Sequence, residues 1–188
     1  MSVKINSLKY LVKSDLYRQS GRVSFLTFIR FLLFNKGFKF VFWLRLAKYF
    51  NKYPIIRLFP IFMYKFYKII YVSDINYRAD IGPGFCIYHV FGTTFGQMVR
   101  IGSNVTIVHG VTIAGKNKCF PVIGDNVYIG CGACILGDIT IGNNAIIGAN
   151  AVVTKSVPDN GVVVGNPSKI ISLKGSWRYQ KNIWEFNR

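Results

Sequence analysis

The hydrophobic residues of the chain change their spacing near residue 75. From there an aliphatic residue recurs every six positions, often followed by glycine, as in "IGSNVT", "IGDNVY" and "IGNNAI". This period is neither the 3.6 residues of an α-helix nor the alternation of an ordinary strand. It is typical of a parallel β-helix, in which each hexad forms one flat face and three hexads complete a coil. The residues that carry the period are Ile75, Ile81, Ile87, Ile101, Ile107, Ile113, Ile123, Ile129, Ile135, Ile141, Ile147 and Val153.

Two irregularities interrupt this period. Ile87 and Ile101 are 14 residues apart, which is two hexads plus two, and Ile113 and Ile123 are 10 apart, which is one hexad plus four. We therefore expect a two-residue bulge around His89–Thr94 and a loop at "AGKNKCFPV". Loops that leave a regular solenoid are where function is usually built.

Residues 25–72 follow neither pattern, because aromatic, aliphatic and basic residues are mixed throughout. Gly37, Pro54 and Pro60 interrupt the segment, which predicts several short helices rather than one long one.

Arg45, Lys48 and Lys52 stand at i, i+3 and i+7, and this spacing predicts one cationic helix face. Cations beside many Phe and Trp residues favour a helix that lies in the interface of an anionic membrane. The alternative is an ordinary helical unit that packs on the rest of the chain and has a solvated basic face.

The charge supports this division of the chain. The net charge is +17, but residues 1–72 carry 14 Lys and Arg against one acid, whereas residues 73–172 carry 6 against 5. An evenly basic nucleic-acid-binding protein would not show this distribution. We therefore predict a basic helical segment at 1–72, a β-helix at 73–172 and a tail at 173–188.

The rest of the composition gives expectations about location. The first twenty residues are polar and mixed, which does not resemble a signal peptide, and basic residues interrupt every apolar run before it reaches the length of a membrane span. The four cysteines are expected to be free thiols in a reducing cytoplasm. Cys131 and Cys134 occupy ordinary hexad positions, which favours a packing role over redox or zinc chemistry.

The two histidines of the chain stand at equivalent places in the repeat. His89 follows Ile87 by two positions and His109 follows Ile107 by two, so both should lie on one face, one coil apart. Cys131 continues this column one coil later. Three interpretations are open: a solvated polar column, a metal site, or a general base for catalysis. A single column lacks the convergent geometry of a metal site, so no metal is expected.

The region from Ile75 to Ile171 resembles the left-handed β-helix (hexapeptide-repeat) acyltransferases. The resemblance rests on "IYHVFG", "IGSNVTIVHGVTIAG", "PVIGDNVYIGCGACILGDITIGNNAIIGANAVVTKSVP" and "GNPSKII". The closest pattern is that of serine acetyltransferases. It implies a mainly β fold, a left-handed parallel β-helix preceded by a short α-helical segment, and acetyl transfer from acetyl-CoA to a hydroxyl.

The resemblance also assigns roles to residues. It implies that His89 is the general base, with His109 as the second candidate or as a neighbour that tunes it. It implies that pantetheine lies in a groove between two subunits of a homotrimer, and that cations meet the CoA phosphates. The residues expected to bind acetyl-CoA are Ala114, Gly115, Gly132, Ala133, Lys155 and Lys169.

Two departures from the serine acetyltransferase pattern guide the choice of acceptor. Tyr88 stands where that pattern places Asp before the catalytic His, and Cys119-Phe120 stands where it places an Arg-His pair that holds the amino acid. The chain is in this respect more similar to exopolysaccharide and capsule O-acetyltransferases. We therefore expect a glycan or a lipid-linked sugar as acceptor, at the inner face of the cytoplasmic membrane.

Other functions remain open from sequence alone. Within the enzyme class they are a serine O-acetyltransferase of cysteine biosynthesis and an acetyltransferase for an antibiotic or a sugar. Outside it, a scaffold or nucleic-acid-binding β-helix is the alternative, although a scaffold needs neither a histidine at a bulge nor an extruded loop.

Overall fold

The computed structural model describes residues 7–115 and 118–185. Lys116 and Asn117, which belong to the expected loop, and both chain ends lie outside the described residues. The described N-terminal part forms the helices α1 (Leu8–Ser20), α2 (Phe25–Phe34), α3 (Lys36–Phe50) and α4 (Leu58–Ile70).

Short strands follow from residue 74 onward. They are β1 (Asp74–Ile75), β2 (Asp80–Ile81), β3 (Cys86–Ile87), β4 (Thr94–Phe95), β5 (Arg100–Ile101), β6 (Thr106–Ile107), β7 (Thr112–Ala114), β8 (Val122–Ile123), β9 (Tyr128–Ile129), β10 (Cys134–Leu136), β11 (Thr140–Ile141), β12 (Ile146–Ile147), β13 (Val152–Val153), β14 (Val162–Val164) and β15 (Lys169–Ser172).

The strands stack into three sheets that form the sides of a prism. Their orders are β1-β4-β7-β10-β13, β11-β8-β5-β2 and β15-β14-β12-β9-β6-β3, and every pairing except the antiparallel β14–β15 is parallel. In register, Ile87 pairs with Ile107 and Ile107 pairs with Ile129, and all three side chains are buried. The predicted mainly β fold, a parallel β-helix preceded by short helices, is confirmed.

Asparagine shapes one corner of the prism. Asn104, Asn126, Asn144 and Asn160 all have φ between 55° and 60°, a left-handed conformation that Asn tolerates better than most residues. The Asn126 side-chain amide donates to the Asn144 side-chain oxygen of the next coil at 3.1 Å. The Asn residues of the hexads thus turn the chain at each coil.

Helices α1 to α3 each begin at a side-chain cap. Ser7, Ser24 and Asn35 accept from the backbone N–H groups of Tyr10, Thr27 and Phe38. Helix α3 is the central one: it packs against α1, α2 and α4 and against β3 of the first coil. Within the described residues, no helix is long and apolar enough to cross a membrane.

Helix α3 is held on the first coil by a buried ion pair. The Arg45 guanidinium donates to both carboxylate oxygens of Asp15, at 2.9 and 3.1 Å, and to the carbonyl oxygens of Ile81 and Gly82, each at 2.6 Å. Both side chains are at most 2% exposed. The expectation that Arg45 is available to an anionic membrane or to solvent on the cationic face of α3 is therefore wrong, because its guanidinium is buried and paired with Asp15.

The C-terminal tail returns to the N-terminal helix. Trp184 is buried between the rings of Tyr10 and Tyr17, with centroids 5.7 and 5.5 Å away. The buried Arg18 side chain donates to the carbonyl oxygens of Gly84, Asn104 and Lys181, and to side-chain oxygens of Thr106 and Gln180. One guanidinium therefore joins α1, two coils and the tail.

Candidate active site

The two histidines lie side by side at one corner of the prism. The strand pairs β3–β6 and β6–β9 place His89, His109 and Cys131 after equivalent strand ends in three successive coils. The imidazole centroids of His89 and His109 are 6.0 Å apart, with the ring planes at 77°. Both side chains are exposed. The column expected from the spacing is present, and it opens to solvent.

The first coil contains a two-residue bulge at His89 that the next coil lacks. The inward residues Ile87 and Phe95 are eight positions apart, whereas Ile107 and Ile113 in the next coil are six apart. The two extra residues are accommodated by a left-handed turn at His89, with φ of 55°, and by burial of Val90. A bulge that re-aims a side chain is common beside active sites.

Neither imidazole is fixed by the rest of the described chain, in which no hydrogen bond from His89 or His109 side-chain nitrogens is found. The hydroxyl of Tyr88, the residue before His89, interacts with the Cys86 thiol. Desolvation raises the pKa of Tyr88 to about 12 and that of Cys86 to about 11, so both are neutral near pH 7. Tyr88 therefore does not supply the negative charge that a carboxylate would.

His109 precedes β7, whereas Ala114 ends this strand and Gly115 follows it, so the histidines and these two residues lie at opposite ends of the strand. A Cβ atom on Gly115 would lie 2.0 Å from the Cys119 carbonyl oxygen and 2.7 Å from the Phe120 ring. Cys119 and Phe120 thus lie against Gly115 and leave room only for glycine. In one copy of the chain, a three-residue strand of roughly 10 Å separates Gly115 from the histidines.

Gly132 and Ala133 lie one coil beyond the histidines. The Gly132 N–H donates to the His109 carbonyl oxygen at 2.9 Å, so this glycine adjoins the histidine corner. The Ala133 side chain is fully buried and faces the interior of the prism, so only its backbone could meet a ligand. Lys155 and Lys169 are exposed, and no ion pair holds either of them within the described residues.

The candidate metal ligands do not converge. Across residues 7–115 and 118–185, no group of three or more His, Cys, Asp or Glu residues could hold a metal ion. Cys131 and Cys134 are free and half-buried, Cys86 is buried, and Cys119 is exposed.

Two aromatic residues near the site were not singled out by the repeat pattern. Phe91 lies in the bulge with its side chain exposed, and its carbonyl oxygen accepts from the Gly110 N–H beside His109. Phe120 packs against the core from the loop and lies over Gly115. Their position in the two irregular segments, where no hexad requires an aromatic residue, was the available signal.

Comparison with known proteins agrees with this architecture. The bacterial transferase hexapeptide (six repeats) family model matches residues 120–155. The chain is 45% identical over 111 residues to the serine acetyltransferase of Mycobacterium tuberculosis, covering 57% of this chain and 48% of that protein. The chain thus spans about half the length of the curated relatives it matches.

Solved structures extend the similarity over most of the chain. The serine acetyltransferase of Brucella abortus strain S19 superimposes with a TM-score of 0.77 and 33% identity, covering 89% of this chain and 70% of that one. A serine acetyltransferase in complex with CoA superimposes with a TM-score of 0.73 and 29% identity, covering 88% of this chain and 70% of that one.

These matches correct one expectation from the sequence. The prediction of a glycan or lipid-linked sugar acceptor, and with it polysaccharide biosynthesis, is wrong, because the matched relatives and structures are serine acetyltransferases. That prediction weighed the substitutions at Tyr88 and Cys119-Phe120 more heavily than the similarity of the whole repeat. From the hexapeptide repeats and the match over 70% of the Brucella chain, this chain belongs to the serine acetyltransferase family of hexapeptide-repeat β-helix acyltransferases.

Proposed function

We propose that the protein transfers the acetyl group of acetyl-CoA to the hydroxyl of L-serine. The observation that carries this proposal is the exposed imidazole pair at the bulge, in a chain that belongs to the serine acetyltransferase family. The matched structure with bound CoA supports acetyl-CoA as the donor.

His89 acts as the general base. A serine hydroxyl is too weak an acid to lose its proton unaided at neutral pH, and histidine ionises close to neutrality. His89 accepts the hydroxyl proton while the oxygen attacks the thioester carbon. The tetrahedral intermediate then collapses, the carbon–sulfur bond breaks, and the protonated imidazole returns the proton to the CoA sulfur.

His109 is the second candidate for this role. Its ring meets the His89 ring edge to face at 6.0 Å, close enough to share a substrate but too far for a direct hydrogen bond. We propose that His109 positions the acceptor hydroxyl. The experiment below distinguishes this assignment from the reverse one, in which His109 is the base and His89 positions the hydroxyl.

The acetyl-CoA site requires a second copy of the chain. In one copy the histidine corner and the Ala114–Gly115 pair lie at opposite ends of one strand, so the two can face a common groove only across a subunit boundary. We propose a homotrimer with three such grooves. The small residues Ala114, Gly115 and Gly132 allow a narrow pantetheine chain to lie against the backbone, and the backbone N–H group of Gly115 would stabilise the oxyanion.

Two exposed lysines suit the nucleotide end of the donor. Lys155 and Lys169 have no ion-pair partner in the described chain and lie toward the last coil, so their ammonium groups are available to phosphates. With Ala133 buried, its contribution is limited to main-chain contact.

The test measures CoA thiol release with L-serine as acceptor. His89→Asn is the preferred variant, because Asn tolerates the left-handed conformation that His89 adopts, so lost activity reports the imidazole and not a distorted corner. We expect kcat to fall by roughly 10²–10⁴-fold while acetyl-CoA affinity is unchanged.

His109→Asn is the matched variant, since it removes the neighbouring imidazole. Its expected effect is mainly on the KM for L-serine. Near-normal turnover in His89→Asn together with an inactive His109→Asn would move the base to His109. Thiol release that does not depend on L-serine would reject serine as the acceptor.

A further inference from the structure

Helix α2 leaves much of its apolar surface uncovered. None of its ten residues is buried, although its sequence, FLTFIRFLLF, is almost wholly apolar. Phe25, Leu26 and Phe34 are each 77–80% exposed, and Ile29 and Leu33 are exposed between them. A soluble surface rarely leaves so many large apolar side chains adjacent to one another, so this face requires an occupant.

Helix α4 repeats this arrangement. Its exposed apolar residues follow the 3–4 spacing of one helix face, so they form a continuous stripe. Leu58 and Phe62 are each 64% exposed. The residues of the stripe are Leu58, Phe59, Phe62, Phe66, Ile69 and Ile70.

A row of ring contacts joins the two helices across α3. Phe28 of α2 meets Phe42 at 5.5 Å, Phe42 meets Trp43 at 5.5 Å, and Trp43 meets Phe59 of α4 at 5.7 Å. The exposed apolar residues of α2 and α4 therefore adjoin this row of rings. We call the exposed residues and the row of rings together the apolar helical face.

Basic residues accompany this face, and acids are absent from the sequence between residues 16 and 73. Arg30 stands one helical turn from Leu26 and Leu33, and Lys65 stands one turn from Phe62. Both are exposed, and no ion-pair partner is found for either in residues 7–115 and 118–185. Long cationic side chains at the edge of an apolar stripe can keep their charge in water while the stripe is buried.

We propose that the apolar helical face binds the surface of a bilayer that contains anionic phospholipid. The rings and aliphatic side chains enter the region between headgroups and acyl chains, and Arg30 and Lys65 meet the phosphates. If this face bound the same face of a second copy, Arg30 and Lys65 would meet the basic residues of that copy and no acidic residue of these helices. Charge complementarity therefore favours an anionic lipid surface as the partner. Helices α2 and α4, of 10 and 13 residues, are shorter than a membrane span, so in this proposal they lie along the bilayer surface.

The experiment is co-sedimentation of the full chain with phosphatidylcholine vesicles, with and without phosphatidylglycerol, at low and high salt. We expect binding to the anionic vesicles that weakens with salt. Leu58→Gln/Phe62→Gln should lower the partition coefficient by roughly 100-fold, since burial of each side chain contributes at least about a factor of ten. Lys65→Glu should lower it by about tenfold or more.

Matched controls stand at the far end of the β-helix. Leu173 is 64% exposed, like Leu58, and Lys174 is exposed, like Lys65. Leu173→Gln and Lys174→Glu should bind the vesicles as the unmodified protein does. Loss of binding in these controls equal to that of the α4 variants would overturn the proposal.

A second pair of variants keeps the test independent of α4 folding. Leu26→Gln/Phe34→Gln changes only exposed side chains of α2 and should give a loss of similar size. No sedimentation of the unmodified protein with anionic vesicles at low salt overturns the proposal. A smaller assembly of these variants in analytical ultracentrifugation would also overturn it, because the face would then be a protein interface. Neither readout uses acetyl transfer, so the result is separate from the proposed enzymatic function.

Discussion

The buried pair of Arg45 and Asp15 allows a quantitative prediction about stability. The pair fixes α1 and α3 on the first coil, where Asp15 also accepts from the Phe85 N–H at 2.8 Å. Burial raises the pKa of the Asp15 carboxyl, and the Arg45 guanidinium and backbone amides oppose that rise. Arg45→Met keeps much of the side-chain volume but removes the cation, and it also leaves two backbone carbonyl oxygens without their donors.

The expected loss of stability is about 3–5 kcal/mol, because one partner of a buried ion pair is removed and the other is left uncompensated. A domain of this size is stabilised by only about 5–15 kcal/mol, so the loss is a large fraction of the total. The double variant Asp15→Asn/Arg45→Met should lose roughly 1–3 kcal/mol less stability than the sum of the two single variants, because neither substituted side chain is a buried charge.

Urea denaturation followed by circular dichroism, at one fixed protein concentration, measures these free energies. Lys48→Met is the matched control on the same helix, since Lys48 pairs with Asp80 at 3.3 Å and is 37% exposed. It should cost less than about 1 kcal/mol. An Arg45→Met variant no less stable than this control would refute the argument from burial.

The cysteines and one glycine of the β-helix allow three further predictions. Iodoacetamide at pH 8 should modify the exposed Cys119 rapidly and spare Cys86, whose pKa is raised by burial to about 11, until the protein unfolds; mass spectrometry of the labelled peptides checks this. Burial raises the pKa of Cys86 from 9.0 to about 11, which favours the neutral thiol in the folded protein. The contribution of Cys86 to the free energy of unfolding is therefore complete below pH 9.0 and is lost as the pH approaches about 11. Across this pH range the melting temperature of Cys86→Ala should fall less than that of the unmodified protein. Gly115→Ala should lower the melting temperature more than Gly92→Ala. At residue 115 the new Cβ atom would lie 2.0 Å from a carbonyl oxygen. At residue 92 the nearest atom is 3.5 Å away, and the remaining cost is about 1 kcal/mol for an alanine with φ of 69°. Equal losses at the two glycines would mean that the loop moves aside.

The repeat could be predicted from the sequence because each face of each coil places one aliphatic residue at the same inward position. The six-residue period of the sequence is therefore the length of one face of the prism. The inward place of Phe95 was missing from the aliphatic series, since the bulge after Ile87 displaces it by two residues. The histidine pair was predictable for the same reason as the coils. Residues at equal places in successive turns must become neighbours.

The contacts of the helices could not be predicted in this way. Helical spacing placed Arg45 on a cationic face, but it does not reveal that Asp15, thirty residues earlier, lies opposite on another helix. The wrong acceptor has a related cause. Tyr88 and Cys119-Phe120 differ from the serine acetyltransferase pattern at single positions, and the expected acceptor rests on these differences alone. In the structure the Tyr88 hydroxyl interacts with the Cys86 thiol and Phe120 packs on the core, so neither difference identifies an acceptor.

The contacts of Arg18 have a consequence for the order of folding during synthesis. Its partners include Lys181 and Gln180, more than 160 residues later in the chain, and Trp184 fills the space between two tyrosines of α1. Coils can add one upon another as the ribosome releases them, because each pairs with the coil before it. Two of the five acceptors of the Arg18 guanidinium therefore become available only after residues 180 and 181 have emerged, whereas the other three belong to the first two coils. A chain stalled on the ribosome before residue 180 has emerged should therefore hold a formed β-helix to which α1 is attached through Asp15 and Arg45, and α1 should be more sensitive to protease than after the tail has docked.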